Sequence, residues 1–282
     1  MRYLNFVERF SGTVVSDIPG ATSVYRSIRD FLIWKHRLTA GEKWIEYNGI
    51  KLYADTSDFV AQSLSLRGCY EPETTRLLKR HLNEGDFAVD IGGHIGHHTT
   101  TMRQRVGEDG MVWVFEPNEK NAGYIKKTLS QNRWKNVELF PVALSDANST
   151  DQLMITNSRN TGSAVLSDLC SEEGEDEVVQ EKHTVGTKSL SRLLNERDKK
   201  RIDLLKIDVE GAEKNIISDL EDDLHKVETI ILEFHSDRLS ENQIQKTFQI
   251  LNAHGEITDT DGYAVKLEQL IQEKMKVVWQ AK

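Results

Sequence analysis

The sequence predicts an α/β protein built on a doubly wound, mostly parallel sheet, preceded by an N-terminal helix and a β-hairpin. Two observations carry that prediction. Apolar runs of strand length recur from residue 87 onward, in "FAVDIGG", "GMVWVFEP", "VELFPVALSD", "DLLKIDVEG" and "ETIILEFH", with helix-like stretches between them. Strands that alternate with helices make a parallel sheet covered on both faces, and strands buried on both faces read as continuous apolar runs. The first run also ends in an acid and glycines, and the second in an acid, at the strand ends where such a sheet binds its ligands.

The elements follow in order. From Val24 to Leu38, apolar residues at Val24, Ile28, Phe31, Leu32 and Trp34 approximate the helical period, with Arg26, Arg29, Lys35 and Arg37 interspersed. Residues 24–38 are read as an amphipathic helix, either packed on the main domain or offering a basic face to a membrane surface. In "WIEYNGIKLYAD" two alternating runs flank Asn48-Gly49, whose tolerance of positive φ suits a two-residue turn, so 44–54 is a hairpin. A helix-like stretch covers Glu73 to Leu82, and "MKVVWQAK" forms a last strand. The insert 148–190 carries the acidic "SDLCSEEGEDEVV", lacks apolar periodicity, and is expected to be a mobile loop leading into a strand near "VVQEKHTV".

Length and composition bound the rest. A chain of 282 residues accommodates one large domain and an appendage, read as an extension over 1–67 and a main domain over 68–282. The longest apolar runs, such as "TIILEF", fall short of the ~20 residues that a membrane span needs. The N-terminus carries charges where a signal peptide keeps an apolar core, and Cys69 and Cys170 offer neither bridge framework nor metal spacing, so a cytoplasmic setting is expected. A net charge of -9 argues against a nucleic-acid partner and for a small molecule.

"VDIGGHIGHHTT" poses the chemical question. His94, His97 and His98 fit a metal poorly: no acid sits between them, the positive end of a helix disfavours a cation, and adjacent His97 and His98 face apart. The glycines fit a cofactor better. Gly92 and Gly93 leave room for a ligand against the backbone, and Gly96 allows close helix-to-strand packing. A dinucleotide fingerprint lacks its first glycine, because Ile91 stands in that place. Asp90 and Glu116 instead supply two strand-end carboxylates, which suit a ligand with an amino group and ribose hydroxyls. S-adenosylmethionine has both.

Six ordered blocks over residues 68–235 carry a resemblance: "GCYEPET", "VDIGGHIGHHT", "VFEPNEKNAGYIKKTLSQN", "VELFPVALSD", "DLLKIDVEGAE" and "ILEFH". On these the chain resembles the FkbM-type methyltransferases, within the Rossmann-like class that uses S-adenosylmethionine. Gly93-His94 stands where that family usually has Ala-Asn. The resemblance implies that Asp90, Gly92 and Gly96 border the methionine part of the cofactor, with Gly93 and His94 as further cofactor-binding positions of the same loop, and that Glu116, with Asn118 beside it, holds the ribose. It implies an adenine contact at Ala143, Leu144 and Ser145, and a place for Glu71 in the same pocket.

Chemistry is expected at the ends of the fourth and fifth strands. Alternate residues of a strand share a face, which pairs Asp208 with Glu210 and Glu233 with His235. His235 is the candidate general base and Asp208 its rival, since an imidazole titrates near neutral pH. Alternatively Asp208, Glu233 and His235 hold magnesium or manganese, which would acidify a hydroxyl. Glu213 is read either as part of this cluster or as an acid favoured at the start of a helix beginning at Gly211. The activity implied by the resemblance is O-methylation of a hydroxyl on a sugar, glycolipid or secondary metabolite. The alternatives are an NAD-linked oxidoreductase and a cofactor-binding protein without catalysis.

Overall fold

The computed structural model describes residues 39–155, 164–166, 179 and 181–282. The helix read over 24–38, its membrane face and the acidic centre of the insert lie outside the described residues. The chain divides into two units, Met1–Pro72 and Glu73–Lys282. Among the described residues no helix is long and apolar enough to cross a membrane.

In the first unit, β1 (Glu42–Tyr47) and β2 (Ile50–Asp55) pair antiparallel with Tyr47 opposite Ile50. Asn48 and Gly49 turn between them at φ of +49° and +77°, the double positive φ that an Asn-Gly turn supplies. Alternation buries Ile45, Tyr47, Leu52 and Ala54 on one side. Helix α1 (Phe59–Arg67) starts on Asp58, whose carboxylate accepts the N–H groups of Val60 and Ala61, and ends on Gly68 at φ +74°.

The second unit opens with α2 (Pro72–His81) and holds a seven-stranded sheet. Its strands are β3 (Phe87–Ile91), β4 (Met111–Phe115), β5 (Val137–Phe140), β10 (Ile202–Ile207), β11 (Val227–Phe234), β12 (Gly255–Asp259) and β13 (Met275–Ala281), in the spatial order β12-β13-β11-β10-β3-β4-β5. Pairing is parallel from β11 across to β5, and β13 runs antiparallel to both its neighbours. From β3 the chain winds outward through β4 to β5 and then returns to the other side of β3 as β10. The strand order therefore reverses between β3 and β10, and the carboxyl ends of strands at such a reversal are where sheets of this kind bind their ligands.

Both faces are covered, as the continuous apolar runs require. One cluster joins Val89, Ile91, Trp113, Phe115, Leu205, Ile207, Ile230 and Leu232 to Leu190, Leu193 and Leu194 of α5 (Leu190–Glu196) and Ile216 and Ile217 of α6 (Glu213–Asp219). The opposite face carries Ala88, Val112, Val114, Leu204 and Ile231 against Leu77 and Leu78 of α2 and Met102 and Val106 of α3 (His97–Val106). Helix α4 (Glu119–Gln131) adds Ile125 to the same cluster.

Three sequence expectations are corrected here. "VELFPVALSD" is not one strand: Pro141 has no N–H for a ladder, β5 stops at Phe140, and Ala143–Leu144 forms β6 in a second sheet. The insert is not a loop leading to one strand. It contributes β7 (Ser149–Ile155), β8 (Ala164–Leu166) and β9 (Glu181–Lys188), which complete that four-stranded sheet in the order β6-β9-β7-β8. Leu153, Leu166 and Val185 bury a small core there with Ala143, contacts between distant segments that no local period announces. Strand β12, unread in the sequence, precedes β13 at the sheet edge.

Candidate active site

The glycine loop after β3 is shaped by three positive φ angles, at Gly92 (+78°), His94 (+51°) and Gly96 (+85°). A side chain at Gly92 would put its Cβ 1.9 Å from the carbonyl oxygen of Asp208, so the ends of β3 and β10 approach as closely as backbone allows. At Gly93 a Cβ would strike Val114, and at Gly96 it would press on Ile125 of α4. Gly96 thus admits helix-to-helix rather than the expected helix-to-strand packing. His94 occupies a left-handed position, where Asn and His are commoner than other side chains, which accounts physically for a histidine at this place. Gly96 caps α3 without a side-chain hydrogen bond, so no side chain of the cap residue satisfies the N–H groups at the positive end of that helix.

Glu116, just beyond β4, ties this loop down. Its Oε2 accepts the N–H of His94 at 2.7 Å and its Oε1 accepts the N–H of Asn118 at 2.8 Å. Burial pushes its carboxyl up to about 7, against the opposing pull of His94 and these hydrogen bonds. Asn118 caps α4 by accepting from the N–H groups of Lys120 and Asn121.

Asp90 is fully buried, and sequence reasoning missed its partner. Thr99 donates its hydroxyl to Asp90 Oδ2 at 2.6 Å, while the Lys206 ammonium, 2% exposed, lies 3.3 Å from both Asp90 Oδ1 and Asp208 Oδ2. The pair arises from register: Lys206 in β10 stands beside Asp90 in β3, both on the face that α3 covers. A lysine inside the apolar run "DLLKI" of a strand buried on both faces was the available signal, since such a charge needs a partner.

The histidines of α3 are corrected in detail. His97 and His98 are both buried, and they do not face apart: their ring centroids lie 3.7 Å from each other. Of the residues expected at the adenine, Ala143 and Leu144 are buried in β6, and Ser145 donates its N–H to the carbonyl of Lys188. Glu71 belongs to the first unit, half-buried at φ +43°.

The second cluster forms beyond β10 and at the end of β11. Strand β10 ends at Ile207, so Asp208 and Glu210 lie in the loop after it and do not share a strand face as the alternation argument required. Helix α6 begins at Glu213 rather than Gly211. Glu213 is no surface cap: it is 0% exposed, with Oε1 2.5 Å from Nδ1 of His235, which is itself 1% exposed. Nε2 of His235 lies 3.5 Å from Glu210 Oε2 and 4.0 Å from Glu233 Oε1. Burial depresses the imidazole, but the hydrogen bond and charge of Glu213, with the charge of Glu210, outweigh it and hold His235 above its ordinary value. Burial raises the carboxyls of Glu210 and Glu213 in turn.

Asp208, Glu233 and His235 each offer a ligand atom within 4.8 Å of the others, the set that a divalent ion would require. The surrounding charges oppose that use. Lys274 lies 3.0 Å from Glu233 Oε1, Lys276 lies 3.2 Å from Glu233 Oε2, and Lys206 stands at Asp208. Two ammonium groups already neutralise Glu233 and a third serves Asp208, so an ion would have to displace them.

Comparison with known proteins bears on this arrangement. Residues 90–263 match the methyltransferase FkbM domain. The chain is 26% identical over 240 residues to the AMB antimetabolite synthetase AmbE of Pseudomonas aeruginosa, covering 71% of this chain and 11% of that protein. It is 23% identical over 177 residues to Methyltransferase 1 of Beauveria bassiana, covering 59% of this chain and 68% of the relative. Among solved structures it is similar to a SAM-dependent O-methyltransferase from Thermotoga maritima, at 15% identity and a TM-score of 0.44 over 86% of this chain and 78% of that one.

Proposed function

This chain belongs to the FkbM methyltransferase family, and from that premise we propose that it methylates a hydroxyl of a sugar, glycolipid or secondary metabolite, with His235 as general base. Membership makes it an S-adenosylmethionine-dependent methyltransferase and sets aside the dinucleotide reading. Residues 68–282 form the catalytic domain in this proposal, and 1–67 its extension.

The loop suits the cofactor. Gly92 keeps a side chain off the Asp208 carbonyl where the β3 and β10 ends meet, while Gly93 and Gly96 leave room for Val114 and Ile125; in this proposal the start of α3, which has no side-chain cap, attracts a carboxylate and Glu116 accepts from hydroxyls. We assign Asp90, Gly92, Gly93, His94 and Gly96 to the methionine side, Glu116 and Asn118 to the ribose, and Ala143, Leu144 and Ser145 to the adenine. The bound cofactor supplies a methyl on a sulfonium, whose C–S bond breaks as the acceptor O–C bond forms, leaving the electron pair on sulfur.

The observation that carries the hydroxyl reading is the position of His235 Nε2 among Glu210, Glu233 and the end of β10. A hydroxyl attacking a methyl group must lose its proton, and in this proposal Nε2 takes it, with Glu210 and Asp208 nearby to stabilise the resulting imidazolium. The lysines at Glu233 and Asp208 favour this base over a metal-bound one.

The test is turnover of S-adenosylmethionine with a panel of hydroxylated acceptors. His235→Ala is expected to lower turnover by ~10²–10⁴-fold with cofactor affinity nearly unchanged, and EDTA to have no effect. Loss of activity to EDTA, restored by magnesium or manganese, would replace the base with an ion held by Asp208, Glu233 and His235. Full activity in the chelator-treated histidine variant would remove both.

A further inference from the structure

We propose that Glu213 is a positioning residue that holds a proton on Nδ1 of His235 and thereby leaves the Nε2 lone pair bare on the side of Glu210 and Glu233. The inference deepens the reading of His235 as the base and rests on it for its functional meaning, but its geometric claim can be measured without any acceptor.

A neutral imidazole carries one proton on one of two nitrogens, and only the bare nitrogen can act as a base. In His235 the two nitrogens have unlike surroundings. Nδ1 is 2.5 Å from Glu213 Oε1, a short contact between a side chain 1% exposed and one 0% exposed. The same Oε1 receives the N–H of Gly211 at 3.4 Å, a donor that favours the ionised carboxylate and so a proton on the nitrogen rather than on the oxygen. Nε2 has no hydrogen bond among the described residues; its nearest carboxylates are Glu210 at 3.5 Å and Glu233 at 4.0 Å. Glu233 is drawn off toward Lys274 and Lys276. A proton on Nδ1 therefore gains a short, charge-assisted bond in a dry setting, and a proton on Nε2 gains none of comparable length. The neutral ring keeps the first and lacks the second.

Local sequence explains the placement. Gly211 takes φ of +101° with Arg238 3.2 Å from where its Cβ would be, so the chain turns tightly after Glu210 and α6 starts with Glu213 facing inward. "DVEGAE" thereby sends one glutamate to each side of the imidazole: Glu210 to Nε2 and Glu213 to Nδ1.

The test is nitrogen-15 NMR of the imidazole ring in the full-length protein, at a pH high enough for the ring to be neutral. The expected spectrum shows a protonated Nδ1 and a bare Nε2 in the wild type. Glu210→Gln should keep that pattern, and Glu213→Gln should shift the Nδ1 resonance and lower turnover, by no more than the ~10²–10⁴-fold that loss of the base itself costs. A wild-type ring protonated on Nε2 would overturn the inference, and it remains readable if the Glu213 variant fails to fold. A wild-type ring protonated on Nδ1 in an enzyme whose turnover is indifferent to His235→Ala would instead retain the geometry and discard His235 as the base.

Discussion

Oε2 of Glu116 accepts the backbone N–H of His94 at 2.7 Å, so the acid that ends one strand fixes the left-handed residue in the loop that follows another. In the proposed assignment, ribose binding and loop conformation would depend on the same carboxylate, which burial pushes up to about 7.

Burial sets the Glu116 carboxyl at about 7, so the unliganded protein exchanges a proton there between pH 6 and 8. Ribose hydroxyls donate best to the ionised form, so binding should release a proton and tighten as pH rises through 7. Calorimetry of S-adenosylmethionine or its demethylated product is expected to show ~10-fold tighter binding at pH 8 than at pH 6. Glu116→Gln should flatten that dependence and weaken binding by ~1.5–3 kcal/mol. A wild-type affinity independent of pH would separate Glu116 from the ribose.

Lys206 is a buried cation serving two acids, and removing one member of such a group leaves charge stranded. Lys206→Met should cost ~3–5 kcal/mol in chemical denaturation. Adding Asp90→Asn should recover part of that loss, because the stranded charge goes with it. A single variant as stable as the wild type would mean that Thr99 alone satisfies Asp90.

Two glycines give opposite expectations for the same substitution. Gly92→Ala forces an L-residue to φ +78° and a Cβ to 1.9 Å from the Asp208 carbonyl, so it should lose ~1–2 kcal/mol to backbone strain alone and more as β10 shifts away. Gly123→Ala lies within α4 with nothing within 4 Å of the new Cβ, and should gain ~0.5–1 kcal/mol from helix propensity. Thermal melts of the two variants should move in opposite directions, and a Gly92→Ala melt at or above the wild-type temperature would deny the close approach of the two strand ends.

The parallel sheet, the Asn48-Gly49 turn, the glycine turn at 92–96 and the family were legible in the sequence, because each is written in a short stretch: an apolar run, a turn dipeptide, a glycine spacing, an ordered set of motifs. Strand-end placement also named Asp208, Glu210, Glu233 and His235 before their distances were known. What the sequence left unread depends on which residues meet across the fold. Lys206 reaches Asp90 only through the register of β10 on β3, and Glu213 turns from a helix-start acid into the partner of His235 only because α6 begins two residues after Gly211. The small sheet of the insert is held by pairs such as Leu153 with Leu166, and the rings of His97 and His98, tilted by 41° with centroids 3.7 Å apart, meet in a buried setting that their adjacency in sequence did not announce. Local periodicity determined the parallel strands of the main sheet and the hairpin; tertiary packing alone decided which charges are paired, because a buried charge selects its partner by proximity in three dimensions and not by spacing along the chain.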